Sequence, residues 1–305
     1  MKLNFDVIII GAGAAGMSAA IYLKRFNVNF VMIENNAPGG QINRTAKVEN
    51  YPGADIIGGP ELAMKIFQQT QNLGIEYRYG DVYEVKKEDD HFIVKTDVEE
   101  LTCKAIIIAT GRRSKYLGVE NETKLAGKGI SWCALCDGPF FKEREVVVIG
   151  GGNSALEEGL YLAEICKKVT IIHRRDTFRA DKVAQDKVLN HPKIEIMFNS
   201  EVIRFNEKNE RLNSVTIKDN KTDEETIIPC EGAFIYIGFG PMTDMVKPFN
   251  VTDEQGYIIV DENQRTKVPY LYACGDVTKK ELYQIVTATA EGAKAAMAAI
   301  KDISK

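Results

Sequence analysis

The sequence predicts an α/β chain of two related parallel-sheet units, the second inserted into the first. Three observations carry this. Apolar, β-branched runs at 6–10 and 145–149 each lead straight into a glycine turn and a helical stretch. Each such unit later returns through another apolar run ending in glycine, at 105–111 and 233–238. Beyond the second copy lie strand-like pieces at 256–260 and 271–277 and an alanine-rich amphipathic helix at 291–301. That tail is too small to bury a core of its own. The economical arrangement returns it to the first unit, with crossings near 114–118 and 243–247. The expected domains are therefore 1–114 with 247–305, and 118–243.

Composition agrees with two globular cores. The chain has 305 residues, 45% hydrophobic and 27% charged. A net charge of −4 gives no electrostatic reason to expect nucleic acid or an anionic membrane. The uncharged run from Val7 to Leu23 resembles a targeting or membrane segment, but it is short for a span and contains Gly11, Gly13 and Gly16 at a spacing of their own. Of six cysteines, Cys103, Cys166, Cys230 and Cys274 stand singly in apolar surroundings and read as buried, inert thiols. One working disulfide in a cytoplasmic protein is the expectation.

In chain order, strand 6–10 is followed by Gly11-Ala12-Gly13-Ala14-Ala15-Gly16, a helix over 17–25, and a strand, 29–33, ending in Glu34. In such a βαβ unit the first glycine permits the tight turn, the second admits a pyrophosphate to the backbone, and the third lets helix pack on strand. The helix N-terminus faces the phosphates, and an acid 23 residues after Gly11 can bind ribose hydroxyls. Gly39-Gly40-Gln41 adds a second glycine pair. A turn at 50–53 precedes a helix over 61–73, and the pieces at 77–85 and 91–96 suggest an antiparallel excursion. Ala109-Thr110-Gly111 ends the returning strand, and the composition then turns polar until about 129.

Cys133-Ala134-Leu135-Cys136-Asp137 follows. Two cysteines at this spacing can close and reopen a small disulfide ring, and an adjacent acid can manage the proton of the leaving thiol. No second CxxC or CxxH exists and only three histidines are present, which argues against four-ligand zinc.

The grammar then repeats. Gly150-Gly151-Gly152-Asn153-Ser154-Ala155 opens a helix over 156–166, and a strand over 169–172 leads to His173-Arg174-Arg175, with Arg179 four residues on. His173 stands 23 residues after Gly150, in the register that Glu34 holds after Gly11. An acid there suits a free ribose 2′-hydroxyl, whereas an arginine cluster suits a 2′-phosphate. A second excursion, 195–216 and 226–228, completes the unit. The chain thus reads as two Rossmann-like, three-layer dinucleotide-binding domains.

Along nearly its whole length the sequence resembles the bacterial-type (low molecular weight) thioredoxin reductases. The matching pieces are 11–16 with Glu34, 39–41, 109–111, 133–138, 150–155, 173–179 and Ala273-Cys274-Gly275-Asp276-Val277. The resemblance implies FAD in the discontinuous domain, held by Gly11, Gly13, Ala14, Ala15, Gly16, Glu34, Gly40, Gln41, Ala109, Thr110, Gly111, Gly275, Asp276 and Gln284. It implies NADPH in the inserted domain, held by Gly150, Gly152, Asn153, Ser154, Ala155, His173, Arg174, Arg175 and Arg179. It further implies a homodimer that reduces thioredoxin or a thioredoxin-like protein through a Cys133–Cys136 disulfide. Cys136 would lie nearest the flavin, Cys133 would attack the partner, and Asp137 would be the acid/base. Asp276 matches the aspartate that bonds the flavin's ribityl chain.

Three positions depart from the family pattern: Asn153 for an aspartate, Pro139 for an aromatic residue, and Tyr283 for an arginine before Gln284. The last removes a positive charge expected near the flavin. Dithiol oxidases of this fold lack the three arginines that this chain keeps, and an alkyl-hydroperoxide-reductase flavoprotein would carry an additional N-terminal dithiol domain. A flavin-bearing redox sensor would leave the arginine cluster unexplained.

Overall fold

The computed structural model describes residues 3–45 and 48–304. It forms two compact units, Met1–Arg113 with Gly240–Lys305, and Ser114–Phe239, so the second is inserted between two segments of the first.

The chain begins with β1 (Phe5–Ile10), α1 (Ala14–Arg25), β2 (Phe30–Glu34), α2 (Gly59–Asn72) and β3 (Tyr77–Tyr79). There follow β4 (Val82–Glu88), β5 (His91–Thr96) and β6 (Glu100–Ile108), and β7 (Arg112–Ser114) leads out. The inserted unit holds β8 (Ile130–Ser131), α3 (Ala134–Asp137), β9 (Glu145–Gly150), α4 (Asn153–Ile165), β10 (Lys168–Ile172), α5 (Lys182–Leu189) and β11 (Ile194–Met197). It continues through β12 (Ser200–Lys208), β13 (Arg211–Asp219), β14 (Glu225–Pro229) and β15 (Gly232–Tyr236). After β16 (Phe239–Pro241) come β17 (Leu271–Ala273) and α6 (Ile285–Ile303).

In the first unit, β3, β2, β1 and β6 run parallel in that order, and β17 joins the far edge of β6. β6 shares that edge: its first half pairs antiparallel with β5, and its second half pairs parallel with β17. β1 shows why a continuous apolar run was needed here. Val7 and Ile9 enter the core beneath α1 and α6, while Phe5, Ile8 and Ile10 enter the core on the opposite face. The Val7–Leu23 run is thus a strand, a glycine turn and a helix. Among the described residues no helix is long and apolar enough to cross a membrane.

The inserted unit has a five-stranded parallel sheet, β11-β10-β9-β15-β8, and a separate antiparallel sheet, β12-β13-β14. Val146 and Val148 of β9 face one core, Val147 and Ile149 the other.

Four details differ from the sequence reading. Tyr77–Tyr79 pairs parallel with β2, and the antiparallel excursion starts only at Val82. Ile194–Met197 likewise joins a parallel sheet, since it follows a crossover helix, α5. In 256–260 only Ile258 makes bridges, to Thr252 and Thr278, and the chain turns at Gly256 (φ 87°) around the Asp253 carboxylate, which accepts from the amides of Gln255 and Tyr257. The return crossing also lies at 239/240 and not at 243–247, because Met245 and Val246 are buried in the first unit's core.

Candidate active site

In the first unit, the C-terminal ends of β1, β2, β6 and β17 carry the predicted dinucleotide residues. Gly11 (φ 107°) turns the chain so tightly that a Cβ there would lie 2.4 Å from the Ala109 carbonyl oxygen. A Cβ on Gly16 would lie 1.9 Å from the Gly11 oxygen, so α1 packs on β1 only with glycine at this position. Gly13 is different: a Cβ there would meet no protein atom within 4 Å. Its lack of a side chain serves the space outside the turn. Gly13 is also the N-cap of α1 and offers no side-chain acceptor, so the first-turn N–H groups are available to a phosphate.

Gly39 pairs with Gly13 as a β-bridge and its N–H donates to the Ala12 carbonyl at 2.8 Å, laying the second glycine pair against the first. A Cβ on Gly40 would stand 3.5 Å from the Gly13 Cα. The Glu34 carboxylate accepts from the amides of Ala12 (2.8 Å), Asn35 and Asn36 (both 3.0 Å), which aims it at the turn. Gln41 Nε2 donates to the Arg112 carbonyl at 2.8 Å, and Thr110 Oγ1 to the Met242 carbonyl at 2.6 Å. Ala15 fills the gap that Gly275 leaves: a Cβ on Gly275 would come within 2.7 Å of Ala15 Cβ. Gln284, expected to touch the cofactor, is the N-cap of α6; its side chain accepts from the backbone of Thr287 and from Asn50 Nδ2.

Arg112, which the sequence reading did not single out, pairs with Asp276 at 3.0 Å, and its guanidinium lies 3.8 Å from the centroid of the Tyr283 ring. A cation therefore stands beside position 283 although residue 283 itself is uncharged. Its only sequence signal was its place directly after Ala109-Thr110-Gly111.

The inserted unit repeats the cradle. A Cβ on Gly150 (φ 153°) would lie 2.4 Å from the Tyr236 oxygen, whereas one on Gly152 would meet nothing within 4 Å. Gly152 caps α4 without a side-chain acceptor, and Ala155 is fully buried against the turn. Asn153 Oδ1 accepts from the Asp181 amide at 2.9 Å, a bond that an aspartate would also make. Ser154 is exposed in the first turn of α4.

His173 is placed inward. It is buried, its Nε2 is 3.1 Å from the Thr177 carbonyl, and its ring occupies the space a Cβ on Gly151 would need. Burial holds its pKa below the usual imidazole value, with Arg179, Arg175 and Arg174 acting the same way. It is thus a neutral wedge under the glycine turn. The Arg179 N–H donates to the Gly151 carbonyl at 2.8 Å, tying the arginine loop to that turn. Arg174, Arg175 and Arg179 are exposed, and none has an acidic partner within salt-bridge distance among the described residues.

In the same unit Cys133 and Cys136 form a disulfide. Cys133 is buried and Cys136 exposed. The Cys136 amide donates to Cys133 Sγ at 3.2 Å, and the Ala134 amide to the Tyr236 hydroxyl at 2.8 Å. Ser131 Oγ donates to Asp137 Oδ2 at 2.6 Å and accepts from the Cys133 amide at 3.0 Å. Ser131 and Tyr236 come from β8 and β15, so only the folded sheet reveals them. The other four cysteines are buried and free; burial raises the pKa of all of them, to about 11 at Cys166 and about 12 at Cys230.

Comparison with known proteins agrees with this chemistry. The model of the pyridine nucleotide-disulphide oxidoreductase family matches residues 5–292. A thioredoxin reductase of Bacillus subtilis is 46% identical over 96% of this chain and 92% of its own length. The crystal structure of Lactococcus lactis thioredoxin reductase covers 98% of this chain and 99% of its own, with a TM-score of 0.91 and 42% identity. That of T. acidophilum thioredoxin reductase covers all of both chains, with a TM-score of 0.89 and 37% identity. With two glycine cradles and a redox disulfide on the folds expected to carry them, this chain belongs to the pyridine nucleotide-disulphide oxidoreductase family and, within it, to the bacterial-type thioredoxin reductases.

Proposed function

We propose that the protein is an NADPH-dependent thioredoxin-disulfide reductase with FAD in the discontinuous unit and NADPH in the inserted one. The observation that carries this is the Cys133–Cys136 disulfide in a unit whose glycine cradle is flanked by three exposed arginines. The open space at Gly13 and Gly152, and the two helix starts without side-chain caps, fit phosphate-bearing dinucleotides. Glu34 suits the free ribose of an adenine dinucleotide; Arg174, Arg175 and Arg179 suit a 2′-phosphate. Bound flavin supplies the conversion between two-electron hydride chemistry and sulfur chemistry.

The residues of the chain do the rest. Once the disulfide is reduced, the Cys136 amide stabilises a thiolate on Cys133, which attacks one sulfur of the partner's disulfide and forms a mixed disulfide. Cys136 then attacks Cys133, restoring the internal disulfide and releasing the partner as a dithiol. Asp137, oriented by Ser131, passes protons to and from the sulfurs. The oxidised chain exposes Cys136 more than Cys133, so the order of attack is tested directly. With Cys136→Ser, a stable mixed disulfide between Cys133 and thioredoxin is expected; trapping only with Cys133→Ser would exchange the roles. The same reading includes a homodimer in the cytoplasm, for which light scattering should give twice the chain mass.

A reductive titration tests the function itself. The purified protein should release FAD on denaturation and take up about two electron pairs per chain, one at the flavin and one at the disulfide. Cys133→Ser should take up one. Release of FMN or of no flavin contradicts the assignment.

A further inference from the structure

Arg112 is fixed on two sides at the C-terminal edge of the first unit's sheet. Its Cζ lies 3.8 Å from the centroid of the Tyr283 ring, a cation–π distance, and that ring rests against Tyr257 with centroids 5.9 Å apart. Its Nε and Nη2 both donate to Asp276 Oδ2, at 3.2 and 3.0 Å. Its backbone carbonyl accepts from Gln41, whose backbone follows the Gly39-Gly40 pair of the cradle. An unconstrained guanidinium meets a carboxylate fork to fork, each nitrogen with its own oxygen. Here both donors converge on one oxygen, with the guanidinium held on the aromatic face, and Asp276 Oδ1 receives no hydrogen bond from the described residues. The carboxylate is braced on one side and open on the other.

We propose that Arg112, gripped by Tyr283, is a positioning residue for the flavin: it turns Asp276 so that Oδ1 accepts a hydroxyl of the ligand's polyol chain, and it supplies the cation that residue 283 does not carry. The inference rests on the flavin reading above and goes beyond it by giving Arg112 and Tyr283 one joint role. The opposing possibility is that Arg112 merely occupies Asp276 and must be displaced by the ligand. The two differ in sign.

The test uses the full chain, stripped of FAD and titrated with FAD by fluorescence quenching, with the midpoint potential and visible spectrum of the bound flavin as second readouts. Arg112→Gln and Tyr283→Leu should each weaken FAD binding by about tenfold, the loss expected for one charge-assisted contact, and make the midpoint potential more negative. Tyr283→Phe, which keeps the ring face, should restore most of what Tyr283→Leu loses. Equal or tighter FAD binding by Arg112→Gln overturns the proposal, as does a Tyr283→Phe as weak as Tyr283→Leu. A wild-type chain that binds no FAD overturns the underlying flavin reading instead.

Discussion

Gly13 and Gly16 belong to one turn, yet a methyl group at each meets different surroundings. At Gly16 it would collide with the Gly11 carbonyl at 1.9 Å; at Gly13 it would enter open space from an extended backbone that any residue adopts. Gly16→Ala should therefore lower the melting temperature sharply or prevent folding. Gly13→Ala should melt like the wild type and lose FAD affinity, and equal flavin binding would show that this space is not the ligand's. The arginines lend themselves to a similar separation. Charge-assisted bonds to a 2′-phosphate contribute about 1.5–3 kcal/mol each, so replacing two of Arg174, Arg175 and Arg179 by alanine should cut kcat/KM for NADPH about a hundredfold or more. The value for NADH should barely change; equal losses with both cofactors would assign these side chains to something other than the phosphate. Glu158 makes a third case. Its Oε2 is buried without a hydrogen-bond partner among the described residues, and burial, aided by Glu157, raises its pKa to about 7. The folded state thus prefers the protonated form: the stabilisation is full below the ordinary carboxylate pKa and is lost as pH rises through 7. Glu158→Gln should raise the melting temperature relative to wild type at pH 8.5 and much less at pH 4.5. A difference independent of pH would mean that Glu158 finds a partner in solution.

Among the elements, those that were legible in the sequence are those whose local pattern and tertiary role coincide. β1 and β9 are buried on both faces, so their continuous apolar runs announced parallel strands, and the glycines after them announced open helix starts at α1 and α4. β3 and β11 were misread because a short edge strand looks alike in parallel and antiparallel pairing; only the partner strand decides. His173 stood in the expected register, but an imidazole beside arginines gave no sign that its ring would fill the space under Gly151. α5 illustrates how an element can steady a site from outside it. Asp181 accepts from the Ala184 amide at 2.9 Å as N-cap while its own amide donates to Asn153, joining α5 to the start of α4. Asp181→Ala should cost about 1 kcal/mol, the usual cost of a lost cap, measurable as a lower midpoint in denaturant for the inserted unit. FAD content should not change, because Asp181 belongs to the unit without Glu34 and Asp276.

At the scale of the whole molecule, the insertion was readable because a tail that could not fold alone had to belong to the unit where its strand, β17, pairs with β6. The site was readable where one motif holds its chemistry: the glycine turns, the arginine loop, and Cys133 with Cys136. It was hidden where residues far apart in the chain converge, as Arg112, Asp276 and Tyr283 do, or Tyr236 with Ala134 beside the dithiol. On the proposed reading, electrons pass from NADPH through bound flavin and the Cys133–Cys136 pair to a thioredoxin. The most direct measurement is anaerobic NADPH oxidation with the organism's own thioredoxin, wild type beside Cys133→Ser and Cys136→Ser. The wild type should oxidise one NADPH for each thioredoxin disulfide reduced, with NADH far less effective, and both variants should fail while still holding FAD. Undiminished thioredoxin reduction by either variant, or NADPH oxidation that proceeds only with oxygen as acceptor, would contradict it.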